Sequence, residues 1–187
     1  MNKKRIVLGL SGGVDSSTSA YMLKEDGFEV IGVTLVVSNE QRESQDLKDA
    51  ISLGKELNIE HIVLDIVDEF NEKIIKYFID EYSKGMTPSP CVVCDEIIKI
   101  KKLIEIANLK EAYYIATGHY CEISKENRFK RNLFKKPKDV RKDQVYIDVY
   151  KRQRLCTGKR SKSIFNSEYY KEGYWDRSNS YKFKRII

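Results

Sequence analysis

The sequence predicts an α/β domain with a doubly wound, mostly parallel sheet, followed by an irregular basic tail. Three observations carry that prediction. Short apolar, β-branched runs alternate with longer stretches of helical period through the first two-thirds of the chain. The first such run, Ile6-Val7-Leu8, breaks at once into a glycine-rich turn that leads to a helix. Charge then divides the chain: residues 1–124 carry 14 Lys+Arg against 21 Asp+Glu, and residues 125–187 carry 20 against 7. The net charge of +6 therefore hides an acidic part and a basic part that need separate treatment.

In chain order, residues 5–10 form the first predicted strand and 16–25 the first helix. Ala20 and Leu23 share a face of that helix, and Gly27 is its C-terminal cap. Residues 28–37 alternate and then run apolar, as a buried second strand does. After a polar loop at 38–44, Leu47, Ala50, Ile51, Gly54 and Leu57 recur at helical spacing and predict a helix over 46–57. A third strand follows at 61–66, then a helix over 68–82 with Phe70, Ile74, Tyr77 and Phe78 inward. A helix over 95–108 and a strand over 113–115 complete the pattern. Alternating β and α elements imply parallel strands joined by right-handed crossovers. Such sheets hold ligands at the carboxyl ends of their strands. Leu35, near the end of the second strand, is thus a candidate to touch a ligand ring, with a plain core role as the alternative.

The turn after the first strand, Gly9-Leu10-Ser11-Gly12-Gly13-Val14-Asp15-Ser16-Ser17, is the first candidate site. Its glycines allow backbone angles closed to other residues and a close approach of ligand to main chain. Asp15, Ser16 and Ser17 suit a first helical turn, where their oxygens would cap amides. Such a helix start favours phosphate. No lysine follows the glycines, so it is not a Walker A loop, and no Gly-x-Gly-x-x-Gly is present.

With 41% hydrophobic residues in 187, the chain can build one full core. No stretch approaches the roughly 20 apolar residues of a membrane span. The basic start has no long apolar run behind it, unlike a signal peptide. A cytoplasmic protein with no membrane partner is expected, with Cys91, Cys94, Cys121 and Cys156 as thiols.

Thr87-Pro-Ser-Pro-Cys-Val-Val-Cys94 is the second candidate site. Two prolines two apart predict an extended, rigid loop before the next helix. The cysteine pair is open to three readings: half of a zinc or iron–sulfur site completed by His119 and Cys121, a dithiol or structural pair, or a catalytic thiol. In the last case a helix N-terminus would lower the thiol's pKa.

Ser-Gly-Gly-x-Asp-Ser resembles the pyrophosphate loop of the ATP pyrophosphatases, whose fold is of the adenine nucleotide alpha-hydrolase type. Thr87–Cys94, Ala116-Thr-Gly-His-Tyr120 and Lys142-Asp-Gln144 are similar, in the same order, to motifs of the tRNA-specific 2-thiouridylases within that superfamily. The likeness covers about residues 4–147. It departs at Ser89 and Asp95, where that family usually has Asn, and at Cys121, where a small residue is usual. It implies ATP-dependent 2-thiolation of the wobble uridine of tRNA, by adenylation of the C2 oxygen and transfer of sulfur from a cysteine persulfide. Residues 9–17, Leu35 and Gly118 would then hold ATP, with Asp15 organising the loop or Mg²⁺. Cys94 would bear the sulfur, delivered by a persulfide donor protein. Ser89, Pro90 and Cys91 would line the target base, and His119, Lys142, Asp143 and Gln144 would contact tRNA. The basic run at 125–142, with nine Lys+Arg against two acids, suits RNA phosphates or a solvated hairpin. Other adenylating enzymes of the superfamily, of the lysidine, argininosuccinate or NAD synthetase type, and an ATP-binding fragment without turnover remain alternatives.

The expected division is a pyrophosphate-loop domain at 1–147 and a basic tail at 148–187, either disordered or foreign to the fold. Asp148-Val-Tyr-Lys-Arg-Gln153 is what one reading frame of a transposon-adapter end encodes. The resemblance implies a second catalytic cysteine beyond residue 147, and Cys156 does not match its surroundings. A truncated chain with little multiple turnover is therefore expected.

Overall fold

Ile6, Val7 and Leu8 have no exposed surface, and the strand that carries them lies inside the sheet. The computed structural model describes residues 2–118, 122–124, 133–135 and 141. Its main sheet has four strands: β1 (Asn2–Gly9), β2 (Glu29–Val36), β3 (Glu60–Asp65) and β4 (Ala112–Ala116), in the order β3-β2-β1-β4. Every neighbouring pair is parallel, with Val7 opposite Ile31 and Ile115. A short antiparallel pair, β5 (Glu122–Ser124) and β6 (Leu133–Lys135), stands apart from it.

Consecutive residues of β1 feed two different cores. Ile6, Leu8 and Leu10 pack with Ala20, Leu23 and Ala50, whereas Val7 packs with Leu103, Ile106 and Ala107. The first group comes from α1 (Val14–Glu25) and α2 (Gln45–Glu56), which cover one face. The chain runs outward from β1 to β3 with both crossovers on that face. It then returns to the far side of β1, so a right-handed crossover needs the opposite face. Leu35, Leu64, Ile66, Ile74 and Ile98 join helices to the sheet there.

The helices of that face are longer than expected and contain wide π turns. α3 (Val67–Phe70), a π turn at Asn71–Ile75 and α4 (Lys76–Ser83) form one rod. α5 (Pro90–Cys94), a π turn at Asp95–Lys99 and α6 (Ile100–Leu109) form the second. The Thr-Pro-Ser-Pro stretch is therefore not wholly extended. Pro90 is the first helical residue, a position where its missing N–H costs nothing and its fixed φ helps. Phe78, expected inward, is 40% exposed and stacks on Tyr82 at 5.7 Å. The apolar cluster around Ile74 ends before α4, so no core meets that spacing. Gly27 does end α1, at φ +80°, with Phe28 N–H donating to Leu23 O at 3.0 Å.

Candidate active site

Strand order reverses between β1 and β4, and open α/β sheets bind ligands beyond the strand ends at such a reversal. Gly9 and Ala116 end the two strands there. A Cβ on Gly9 would lie 3.7 Å from Thr117 Cγ2, and one on Gly118 would lie 3.4 Å from Ser16 N and 3.5 Å from Asp15 C. Gly9 thus lies beside Thr117, and Gly118 beside Asp15 and Ser16, at one end of the sheet, from two stretches far apart in the chain. The loop between them rests on the start of α2. A Cβ on Gly12, whose φ is +83°, would stand 2.0 Å from the Asp46 carbonyl oxygen. Glycine is obligatory at that position on both counts.

The expected capping of helix amides by Ser16 and Ser17 is replaced by bonds from their hydroxyls to a carbonyl. Gly13 is the N-cap of α1, and no side chain caps it. Ser16 Oγ donates to Gly13 O at 3.0 Å, and Ser17 Oγ donates to the same carbonyl at 2.9 Å. Residues already inside a helix direct a hydroxyl back to the previous turn, which explains the difference. Amides of a first turn have no carbonyl one turn back, so they are the donors this loop can offer an anionic oxygen. Ser16 is saturated: its proton goes to Gly13, and it accepts from Ser11 N–H at 3.2 Å and from Ser11 Oγ at 3.1 Å. Ser11, which is exposed, and Ser17, half-buried, are the hydroxyls able to turn toward a ligand. The Leu10 side chain is core, while Val14 is 81% exposed on the first turn.

Leu35 is half-buried and packs against the cluster of Ile66, Ile74 and Ile98. Cys94 packs against the same cluster, which ties the cysteine helix to the carboxyl end of β2. Ser89 precedes α5 as its N-cap, Pro90 and exposed Cys91 stand in its first turn, and Cys94 is half-buried at its end. Burial pushes the Cys94 thiol up, against a partly offsetting pull from Lys99, and the charges of Asp95 and Cys91 raise it further. The expected lowering by a helix N-terminus is therefore corrected. That dipole acts within the first turn, and the helix begins four residues before Cys94. Asp95 is 5% exposed and forms an ion pair with Lys99. Among the described residues no three His, Cys, Asp or Glu side chains gather for a metal. His119, Cys121, Lys142, Asp143, Gln144 and Cys156 lie outside the described residues.

Sequence reasoning passed over Thr34 and His61. Thr34 Oγ1, 2% exposed, donates to Leu10 O and contacts His61 Nε2 at 2.8 Å. The available signal was a pair of glycines: Cβ atoms on Gly32 and Gly54 would lie 3.3 Å from His61 Cδ2 and 3.0 Å from His61 Cβ. Burial holds the His61 pKa below its ordinary value. The unfolded chain then binds the extra proton first, so His61 costs stability as pH falls through about 6.5 and costs none above it. Thermal melts at pH about 7.5 and about 5.5 should show a drop that shrinks in a His61→Gln chain.

A family model described as "tRNA methyl transferase HUP domain" matches residues 4–157. The tRNA-specific 2-thiouridylase MnmA 2 of Fusobacterium nucleatum subsp. nucleatum is 44% identical over 162 residues, which are 87% of this chain and 46% of that protein. The tRNA-specific 2-thiouridylase MnmA 1 of Caldanaerobacter subterraneus subsp. tengcongensis is 47% identical over 154 residues, covering 76% and 42%. The chain thus spans under half the length of these relatives. The NH3-dependent NAD synthetase from Campylobacter jejuni overlays 64% of this chain and 49% of its own at TM-score 0.47 and 23% identity. No helix among the described residues is long and apolar enough to cross a membrane. With a match over residues 4–157, a parallel sheet and a glycine loop at its strand reversal, the chain belongs to the tRNA methyl transferase HUP domain family.

Proposed function

We propose that this chain is the ATP-using part of a tRNA-uridine 2-sulfurtransferase. The observation that carries the reading is one end of one sheet. It holds the Gly9–Ser17 loop beside Gly118 and, through the Leu35 cluster, the half-buried Cys94. The loop's first-turn amides and the hydroxyls of Ser11 and Ser17 bind the β and γ phosphates of ATP. Mg²⁺, which usually travels with such phosphates on one or two carboxylates, would take Asp15 as its protein ligand and neutralise charge on the leaving pyrophosphate. The wobble uridine's C2 oxygen attacks the α phosphate, and pyrophosphate leaves. Sulfur carried on Cys94 as a persulfide then attacks C2, and AMP leaves with the former oxygen. A second thiol, the role the resemblance gives to a further cysteine, attacks Cys94 Sγ, so that a disulfide forms, the S–S bond to the nucleoside breaks and 2-thiouridine leaves. Burial raises the pKa of the resting Cys94 thiol, whereas in the persulfide Cys94 Sγ carries no proton and the terminal sulfur is the group that ionises and attacks.

Ser89, Pro90 and Cys91 border the target base, and His119, Lys142, Asp143 and Gln144 add tRNA contacts. A soluble persulfide donor protein loads Cys94 in the cytoplasm. Residues 1–147 act as the catalytic domain and 148–187 as an appended basic tail. Methyl transfer, the activity in the family's description, is the second reading. It needs neither a pyrophosphate loop nor a paired thiol, so both features favour thiolation. The test is a single-turnover reaction of persulfide-loaded chain with magnesium ATP, unmodified tRNA and an added small thiol to release the product, with nucleosides analysed by mass spectrometry. The expected product is a uridine with oxygen replaced by sulfur, at no more than one per chain. A methyl-bearing nucleoside, or sulfur transfer without ATP, would overturn the proposal.

A further inference from the structure

We propose that His61 is a positioning residue for the nucleotide loop, acting through Thr34 on the carbonyl of Leu10. This deepens the ATP-site reading and rests on it. Leu10 O can only accept, so the single Thr34 proton goes to it. Thr34 Oγ1 must therefore accept from His61, and the ring carries its proton on Nε2. The chain of donors continues beyond Leu10. The N–H of the Leu10–Ser11 peptide donates to Ser16 Oγ at 3.2 Å, and Ser16 donates to Gly13 O at 3.0 Å. One line of hydrogen bonds thus runs from a histidine on β3 through β2 to the carbonyl that begins α1. Leu10 N–H is held as well, by Val33 O at 2.8 Å, so the peptides on both sides of Leu10 are fixed.

The space around the ring is a second, independent observation. Gly32 interrupts β2 and Gly54 interrupts α2, each at a conformational cost that alanine would avoid. A Cβ on Gly32 would meet Leu10 Cδ2 at 3.0 Å and His61 Cδ2 at 3.3 Å, and one on Gly54 would meet His61 Cβ at 3.0 Å and Cγ at 3.4 Å. Two elements therefore accept a weaker residue where Leu10 and His61 pack together beside Thr34. The benefit falls on the loop, because Leu10 is its second residue and Ser16 its last buried one.

Magnesium ATP and inorganic pyrophosphate are titrated calorimetrically into the full 187-residue chain and its variants. His61→Leu and Thr34→Val should each weaken ATP binding about tenfold, as a lost hydrogen bond of ordinary strength would. His61→Gln, whose amide nitrogen can stand where Nε2 stands, should stay within about threefold of the parent. The Leu/Val double variant should lose little more than either single one, since both break one line. Two further readouts need no nucleotide. Nitrogen-15 spectra should show His61 as the neutral Nε2–H tautomer, and the chain holds only two histidines to assign. The Ser11 amide should exchange with solvent faster in both single variants. Unchanged binding with unchanged Ser11 exchange, an Nδ1–H tautomer, or a Gln variant as weak as Leu would each overturn the proposal. If the parent binds neither probe, the ATP-site reading fails, and Ser11 exchange alone decides whether His61 holds the loop.

Discussion

Cys94→Ser should abolish sulfur transfer while leaving ATP binding intact. Loaded with persulfide and given magnesium ATP and tRNA, the parent chain yields a burst of 2-thiouridine. The serine variant should give a signal at least roughly a hundredfold smaller, as loss of a covalent carrier does. The separation is physical. Cys94 sits on α5 and packs against Ile66, Ile74 and Ile98, whereas the proposed phosphate donors belong to the turn after β1. Serine fills nearly the same volume at a half-buried place, so the fold should tolerate it. Calorimetric ATP affinity should therefore stay within about twofold. Persistence of thiolation would show that another sulfur carrier serves the reaction and would return the other adenylating enzymes to consideration.

Gly12→Ala should have the opposite signature, with ATP binding lost and Cys94 still able to take up sulfur. The new Cβ would stand 2.0 Å from Asp46 O and 2.8 Å from Asp46 C, both backbone atoms of α2's first turn. Backbone cannot rotate away as a side-chain tip can, and φ +83° disfavours alanine in any case. Either the loop lifts from α2 or α2 shifts from the sheet. The first outcome costs ATP affinity roughly a hundredfold, since every donor in the loop moves with Gly12. Gly13→Ala is the internal comparison: its φ is −74°, and among the described residues its one near neighbour is Ser11 Oγ at 3.6 Å, a movable hydroxyl. It should bind ATP several times better than Gly12→Ala. Equal affinities in the two variants would show that contact with α2 does not set the loop.

Much of the architecture was legible because it rests on local pattern. Periodicity and β-branched runs located the strands and helices of residues 2–116 to within a few residues, and alternation implied the parallel sheet. The misreadings share one cause. The two prolines predict an extended loop, although the first helical position accepts Pro90. Phe78 was assigned a core that ends one turn earlier, and Cys94 was given a helix dipole whose origin lies at Pro90. Each depends on where an element starts or what lies opposite it, and residue spacing carries neither.

The same division applies to the site. By itself the sequence singled out the residues proposed to carry the chemistry, Ser-Gly-Gly-Val-Asp-Ser for anionic oxygens and Cys91 and Cys94 for sulfur, and determined a sheet to display them. Short-range chemistry sufficed there, because a tight turn, a thiol and a buried strand are each encoded within a few neighbouring residues. Only the tertiary structure decided that Gly118 lies over Ser16, that Gly12 touches Asp46, that burial raises the Cys94 pKa, and that His61 reaches Leu10 through Thr34. Those contacts join residues far apart in the chain. They arise from strand order and from the faces that crossovers leave for helices, so they exist only once the sheet has formed.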